Sequence, residues 1–296
     1  MEGLSIVVPV YNEKDSITST VDELSTAVMT LGEASEIILV NDGSRDGSAE
    51  ILGQLSTERA GSPVRVQVVH HPQNRGYGAS LKTGISKASY ETIAITDADS
   101  TYPNEQLPEL LKIYRHGYRM VVGARSFRKL PLATRPAKWF LNQLANFLVG
   151  RRIPDINSGL RIFDRETARR FFPMISDGFS FTTTITLAML SSNQPVHYEP
   201  IEYKHRKGSS KIRPIRDTLR FIQLIIRTVM YFDPLKVFLP TSLFVGLTAI
   251  VLYVLGRLGL LFSEPPADIA MVLGIGALQI LATGMLADLI VKRRAL

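Results

Sequence analysis

Up to about residue 124 the chain alternates short apolar runs with helical patterns. Leu4 to Pro9 reads as a strand and is followed by a helix from Asp15 to about Leu31. Glu36 to Val40 is the next strand, with a helix from Asp46 behind it. Val64 to Val69, Thr92 to Thr96 and Met120 to Gly123 supply further strands, with helices from Gly78 and Asn104 between them. Strands separated by helices of this length predict an α/β domain, a mostly parallel sheet with helices on both faces. Such sheets bind ligands at the carboxyl ends of their strands, so polar motifs there carry the most weight.

The pattern changes toward the C-terminus. Val237 to Gly256 is a run of 20 residues without a charge, and Ile269 to Ala287 is another of 19. At ~1.5 Å per residue each crosses a ~30 Å hydrocarbon layer as a helix. Twelve residues, Arg257 to Asp268, join them, which predicts a hairpin. Lys236 precedes the first span, Lys292, Arg293 and Arg294 follow the second, and Glu264 and Asp268 lie between. This bias places both ends and the N-terminal domain on the cytoplasmic side, with Arg257 snorkelling to the far interface. Ala270 and Gly274 offer a small-xxx-small face through which two copies could pack. The N-terminal MEGLSIVVPV has neither a basic n-region nor a cleavage pattern, so no signal peptide is expected.

Two amphipathic stretches lie ahead of the hairpin. Pro214 to Phe232 sets Arg216, Arg220, Gln223 and Arg227 against Ile215, Leu219, Ile222, Ile226 and Val229. That is the pattern of a helix in a membrane interface, or of an amphipathic helix on a protein core. Arg135 to Val149 sets Phe140, Leu144, Phe147 and Leu148, with the only tryptophan, Trp139, against Arg135, Lys138, Asn142 and Asn146, and is a second stretch that can graze lipid.

Charge sharpens this picture. The net charge of +7 is not spread evenly: residues 1–203 hold 21 basic and 22 acidic side chains, and residues 204–296 hold 13 and 5. The surplus sits beside the apolar tail, which favours an anionic membrane surface over nucleic acid. With no cysteine, disulfides, thiolate metal sites and cysteine nucleophiles are excluded.

Candidate chemistry falls just after the predicted strands. Pro9-Val10-Tyr11-Asn12-Glu13 follows the first and Asn41-Asp42-Gly43-Ser44 the second; each alone is also ordinary turn chemistry. Thr96-Asp97-Ala98-Asp99 ends the strand that begins near Thr92, and extended alternation points Asp97 and Asp99 the same way. Paired carboxylates repel unless a cation lies between them, and Mg²⁺ bridging to a diphosphate takes one or two carboxylates. A solvated acidic turn ahead of Pro103 is the plainer alternative. There is no P-loop and no nucleophile elbow, and Gly76-Tyr77-Gly78 lacks the third glycine and the position of a dinucleotide fingerprint. His70 and His71, at a strand end, read as an ordinary polar loop rather than as metal ligands.

The motifs PVYNE, VNDGS and DAD at three strand ends, with NSGLR at 157–161, resemble the family 2 glycosyltransferases of GT-A fold. With the hairpin, the chain resembles their polyprenyl-phosphate branch, relatives of dolichyl-phosphate mannose synthase and the bactoprenol glucosyltransferases. The resemblance implies a Rossmann-like GT-A domain over 1–212, an interfacial helix over 213–233 and a hairpin over 234–296 with spans about 237–256 and 269–291. It implies transfer of a hexose, with inversion, from a UDP- or GDP-linked sugar to polyprenyl or dolichyl phosphate. Pro9, Tyr11, Glu13 and Asp42 would line the nucleoside, and Asp97 and Asp99 would hold the diphosphate through Mg²⁺ or Mn²⁺. Arg125, Ser158, Arg206 and Lys211 would bind the acceptor phosphate, with Asp155 orienting it; Asp97, Asp99, Arg125 and Arg206 are the catalytic candidates. Relatives often carry a metal-facing Gln where this chain has Thr101, and glucosyltransferase types an Asp where Leu160 stands. Two other functions compete: a processive polysaccharide synthase, which lacks support because no Gln-x-x-Arg-Trp motif is present, and a non-catalytic membrane scaffold, against which intact Asp97 and Asp99 argue.

Overall fold

The computed structural model describes residues 3–126, 135–175, 177–178, 180–204, 214–260 and 267–295. Seven strands build one sheet: β1 (Leu4–Val10), β2 (Ser35–Asn41), β3 (Arg65–His70), β4 (Thr92–Ile95), β5 (Met120–Arg125), β6 (Arg161–Asp164) and β7 (Val196–Ile201). Their order is β3-β2-β1-β4-β6-β5-β7. β6 runs antiparallel to both β4 and β5, and the remaining pairs are parallel. The first five strands stand where the apolar runs placed them, within two residues at each end. β6 and β7 lie beyond residue 124, where the predicted alternation of strands and helices ends, and the antiparallel β6 makes the sheet mixed.

Alternation along the strands divides the core between two faces. Leu4, Ile6, Val8 and Val10 of β1 join Ile37 and Leu39 of β2 under α1 (Ile17–Met29), α2 (Ser48–Glu58) and α4 (Leu107–Arg115). Val7 of β1 joins Ile38 and Val40 on the other face, under α3 (Tyr77–Lys87), α6 (Arg165–Phe171) and α7 (Phe181–Ser191). Each such fully buried side chain contributes roughly 1.5–3 kcal/mol relative to exposure. A helix buried all round has no polar face, and α7 is of this kind: Phe181 to Leu190 are all buried, which left no periodicity to find. α3 lies close on the sheet because Gly84 faces Val7, whose Cγ1 would be 2.2 Å from an added Cβ.

A third apolar cluster joins α5 (Arg135–Val149), α7 and α8 (Pro214–Met230). Ala145, Leu148 and Val149 of α5 meet Ile225 and Val229 of α8 there. The amphipathic stretches are therefore helices that pack on the protein along part of their length. Other apolar residues of these helices face outward: Trp139 is 64% exposed, Phe147 65% and Leu219 62%. The side chains of Arg135, Lys138, Ile215 and Arg216, and the whole of Glu264, lie outside the described residues.

α9 (Leu235–Arg257) and α10 (Ala267–Ala295) form the predicted hairpin. Both are long and apolar enough to cross a membrane, and only 11% of the most apolar window of each is buried within the protein. A core helix of a soluble protein is mostly buried, and this exposure fits membrane association instead. The hairpin closes where Gly284 receives Phe238, where Gly246 meets Ala277, and where the Ser242 hydroxyl donates to the Ala277 carbonyl at 2.8 Å. Gly274, which the sequence marked for packing between copies, has open space where a Cβ would stand.

Candidate functional site

Strand register brings the motifs to one level. Val10 pairs with Asn41 and Asn41 with His70, so the chain leaves β1, β2 and β3 side by side. β4 lies on the other side of β1, with Val7 opposite Ile95, and ends lower on the sheet. Strand order therefore reverses beside β1, and a crevice opens there at the carboxyl ends. Pro9 lies in β1, and Tyr11, Glu13, Asp42, Asp97 and Asp99 follow β1, β2 and β4 at this end of the sheet.

The loops after β1 and β2 are laced together. The backbone N–H of Asn12 donates to Ser44 Oγ at 3.0 Å, that of Glu13 to Ser48 Oγ at 3.0 Å, and that of Lys14 to Asp46 Oδ2 at 3.1 Å. In return the Arg45 N–H donates to Asn12 Oδ1 at 2.8 Å. Asn12 adopts φ +57, a left-handed conformation that asparagine tolerates, and the turn leaves Tyr11 exposed.

Asp42 is 3% exposed and its carboxylate is held from three directions. Arg75 N–H donates to Oδ1 at 2.9 Å, Gly76 N–H to Oδ2 at 2.8 Å, and His71 Nδ1 lies 2.8 Å from Oδ1. His71 is thus not the solvated loop residue that the sequence predicted; it is buried and bonded to a candidate site residue. Gly76 has φ +103, and an added Cβ would meet the Asp177 carbonyl oxygen at 2.5 Å. Its freedom allows the 177–178 carbonyls to accept from the first N–H groups of α3, Ala79 to Asp177 at 3.0 Å and Gly78 to Gly178 at 3.1 Å.

β4 ends at Ile95, so Asp97 and Asp99 lie in the loop behind it and not in an extended strand as the sequence led one to expect; they flank the buried Ala98 and both are half-buried. Tyr77, at the start of α3, donates its hydroxyl to Asp97 Oδ1 at 3.0 Å. Desolvation of that hydroxyl and the neighbouring Asp97 charge push its pKa well up, so it stays protonated and donating. Asp99 Oδ1 accepts from Thr101 twice, from the hydroxyl at 2.6 Å and the N–H at 3.2 Å. Thr101 is buried and serves Asp99 rather than the crevice. Among the described residues no group of three or more His, Cys, Asp or Glu side chains converges. The chain thus offers two oriented carboxylates, a donor set that fits a Mg²⁺- or Mn²⁺-like ion shared with phosphate oxygens and not one caged by protein alone.

Of the acceptor candidates, Arg125 and Ser158 fall within the described residues. Arg125, at the end of β5, grips Asp155 through Nε at 2.7 Å and Nη2 at 3.1 Å, and its N–H adds a third bond at 3.1 Å. Burial alone would push the Asp155 carboxyl up, but the bonds and charge of Arg125 and the Asn157 N–H more than reverse this and hold it low. The Arg125 guanidinium also lies over the Tyr203 ring, 5.3 Å from its centre, and Tyr203 stacks edge-on with Tyr102 at 5.1 Å. Tyr102 accepts the Gly159 N–H at 2.6 Å, and Gly159 in turn lies against the Asp97 carboxylate. A continuous set of contacts thus runs from Arg125 to Asp97.

Ser158 behaves differently from what the resemblance implied. It is fully buried and its hydroxyl donates to the Gly123 carbonyl, so it fastens the loop to β5 and is not presented to the crevice. Arg161 sits fully buried beneath, donating to the carbonyls of Ser158 at 2.7 Å and Ile156 at 2.9 Å. Leu160 lies in the core. Arg206 and Lys211 lie outside the described residues. The sequence did not mark Tyr77, Tyr102 or Tyr203 as site residues, read His71 as a polar loop and offered Gly159 only inside NSGLR; Tyr77 stood in Gly76-Tyr77-Gly78, noted as a failed fingerprint.

A seven-stranded, mostly parallel sheet of this order, with helices on both faces, is a GT-A-like fold. Residues 5–172 match the family model described as Glycosyl transferase family 2. The chain belongs to that family. Among its relatives are the undecaprenyl-phosphate 4-deoxy-4-formamido-L-arabinose transferase of Yersinia enterocolitica, 30% identical over 62% of this chain and 58% of the relative. The transferase of the same description from Salmonella paratyphi B is 30% identical over 71% of this chain and 63% of its own length. The chain thus spans about three fifths of these relatives. In fold it resembles glucosyl-3-phosphoglycerate synthase from Mycobacterium tuberculosis, solved with Mn²⁺, UDP and phosphoglyceric acid. The TM-score is 0.55 at 16% identity, over 77% of this chain and 78% of that one. It also resembles S. aureus TarS 1-349, solved with UDP-GlcNAc, at TM-score 0.54 and 16% identity over 78% and 68% of the two chains.

Proposed function

We propose that this protein transfers a sugar from a nucleoside diphosphate sugar to a polyprenyl phosphate at a membrane surface, with inversion at the anomeric carbon. The observation that carries it is the pair Asp97 and Asp99, each oriented by a hydroxyl, at the switch point of a chain that also bears an apolar hairpin. The undecaprenyl-phosphate transferases among its relatives support the lipid acceptor, and the fold neighbours solved with Mn²⁺ and UDP support a divalent ion and a nucleotide donor.

In this reading Tyr11 and Glu13 border the nucleoside and Asp42 accepts a hydrogen bond from its base, which suits UDP or GDP. A divalent ion bound at Asp97 and Asp99 supplies charge neutralisation of the diphosphate leaving group. The acceptor phosphate is largely a dianion at neutral pH, its second pKa being near ~6, and needs no strong general base. One of its oxygens forms the new bond to the anomeric carbon while the bond to the diphosphate oxygen breaks and its electron pair leaves with the nucleotide. Arg125, kept cationic and aimed by Asp155, holds the acceptor phosphate in line with the help of Arg206 and Lys211. The proposed organisation is a transferase domain over 1–212, an interfacial helix over 213–233 and a hairpin over 234–296, with the domain and both ends cytoplasmic. Exposed Trp139, Phe140 and Phe147 on α5 and Leu219 on α8 fit contact with the lipid interface.

Radiolabelled UDP- and GDP-sugars supplied with Mn²⁺ and a short polyprenyl phosphate test this. The wild-type protein should move label into the lipid fraction and Asp99→Ala should not, while keeping its melting temperature. Wild-type turnover by Asp99→Ala refutes the assignment.

A further inference from the structure

We infer that His71 is a positioning residue for the nucleotide: it fixes the Asp42 carboxylate so that a single oxygen lone pair is left to read the base. This rests on the proposed contact between Asp42 and the nucleoside. A carboxylate offers about four lone-pair directions. His71 Nδ1 at 2.8 Å and Arg75 N–H at 2.9 Å take the two of Oδ1, and Gly76 N–H at 2.8 Å takes one of Oδ2. Among the described residues no further donor takes the second direction on Oδ2.

His71 is itself immobilised. It is 6% exposed, its N–H donates to the Asn41 carbonyl at 2.8 Å, and its Nε2 lies 3.0 Å from the Thr83 hydroxyl on α3. An ionised Asp42 only accepts, which puts a proton on Nδ1; in the neutral ring Nε2 then accepts from Thr83, and each partner keeps a proper role. The imidazole therefore spans from the end of β2 to α3 and sets the carboxylate plane against both.

The remaining lone pair demands a donor. A pyrimidine carrying N3–H or a purine carrying N1–H satisfies it, whereas a base with a bare ring nitrogen at that position brings lone pair against lone pair. Without His71 one lone pair of Oδ1 is released, the carboxylate turns about its Cβ–Cγ bond, and both affinity and discrimination between bases fall.

The test measures binding of UDP and of GDP, each with Mn²⁺, to the full-length protein in detergent by calorimetry, with CDP as comparator. His71→Ala should weaken the better-bound nucleotide about tenfold and narrow its advantage over CDP. His71→Asn, whose amide places a donor near the position of Nδ1, should restore both; His71→Gln, which reaches the position of Nε2 instead, should not. Thr83→Val should shift both readouts the same way by less. Melting temperatures are recorded for all variants, and if His71→Ala does not fold, the contrast between Asn and Gln decides. Unchanged affinity in His71→Ala, or equal loss for every nucleotide without rescue by Asn, overturns the inference. Asp42→Asn separates the two readings: if it binds like wild type, Asp42 does not read the base and the role of His71 falls with it. If it binds weakly while His71→Ala does not, only the role of His71 is refuted.

Discussion

Replacing Gly159 by alanine should damage the reaction far more than the fold. An added Cβ would stand 2.9 Å from both Asp97 oxygens and 3.0 Å from its Cγ, where ordinary contact begins at 3.4 Å. The carboxylate must therefore retreat by about 0.5 Å, and it is tethered by the Tyr77 hydroxyl. Metal–ligand distances tolerate only ~0.2 Å, and misplacement on the order of 1 Å at a reacting centre is worth about a hundredfold. Turnover in Gly159→Ala should thus fall roughly ten- to a hundredfold, with a higher Mn²⁺ concentration needed for half-maximal rate. Overpacking costs about 1–3 kcal/mol, and the loss of glycine's freedom in the unfolded chain returns about 0.4–1 kcal/mol, so the melting temperature should drop by a few degrees only. Gly53→Ala, on the open face of α2 where an added Cβ meets nothing, is the control and should leave turnover unchanged. Initial rates of label transfer across a Mn²⁺ series, beside thermal unfolding of each variant, supply both numbers. A rate within threefold of wild type for Gly159→Ala, at every Mn²⁺ concentration, would refute the assignment of Asp97 to the reacting site.

Two further perturbations probe the supports of the site. Tyr77→Phe removes a donor to an ionised carboxylate, an interaction of about 1.5–3 kcal/mol, so turnover should fall roughly tenfold or more; an unchanged rate in the transfer assay excludes Tyr77 as a support of Asp97. Asp155→Asn removes the charge that answers Arg125 and should lower stability by roughly 3 kcal/mol at neutral pH. Because the native Asp155 pKa is depressed, its contribution is fully present above the unfolded value of ~3.9 and is lost as pH falls through the lower native value. Melting temperatures of wild type and variant should converge only in that acid window; a constant gap down to the lowest pH, or convergence already near neutrality, contradicts the pairing.

The first five strands were legible because each is an apolar run bounded by turn chemistry, and the hairpin because lipid-facing helices need long uncharged runs. β6 was hidden for a different reason. It has four residues, Arg161 to Asp164, and begins at the last residue of the NSGLR motif. Its first residue is a fully buried arginine whose guanidinium is answered by the Ser158 and Ile156 carbonyls and the Thr186 hydroxyl, a solution visible only once the chain is folded. α8 carried an amphipathic pattern that fits lipid and protein equally. The structure divides it, with Ile225 and Val229 turned to α5 and α7 and Leu219 exposed.

The site divides along the same line between local and distant information. Asp97 and Asp99 were readable because they stand directly after an apolar run that itself marks a strand, a signal that needs no distant partner. Tyr77 and Asp97 are 20 residues apart, Asp42 and His71 are 29, and Tyr102 and Gly159 are 57. No spacing in the chain announces such pairs, so the groups that aim the carboxylates stayed invisible while the carboxylates themselves did not. Ser158 errs in the opposite direction: its motif marks it as a ligand contact, yet its buried bond to Gly123 makes it a fastening of the loop that holds Gly159 against Asp97. A residue can hold its place in such a motif because it positions the backbone beside the chemistry, and burial is what tells that role from direct contact.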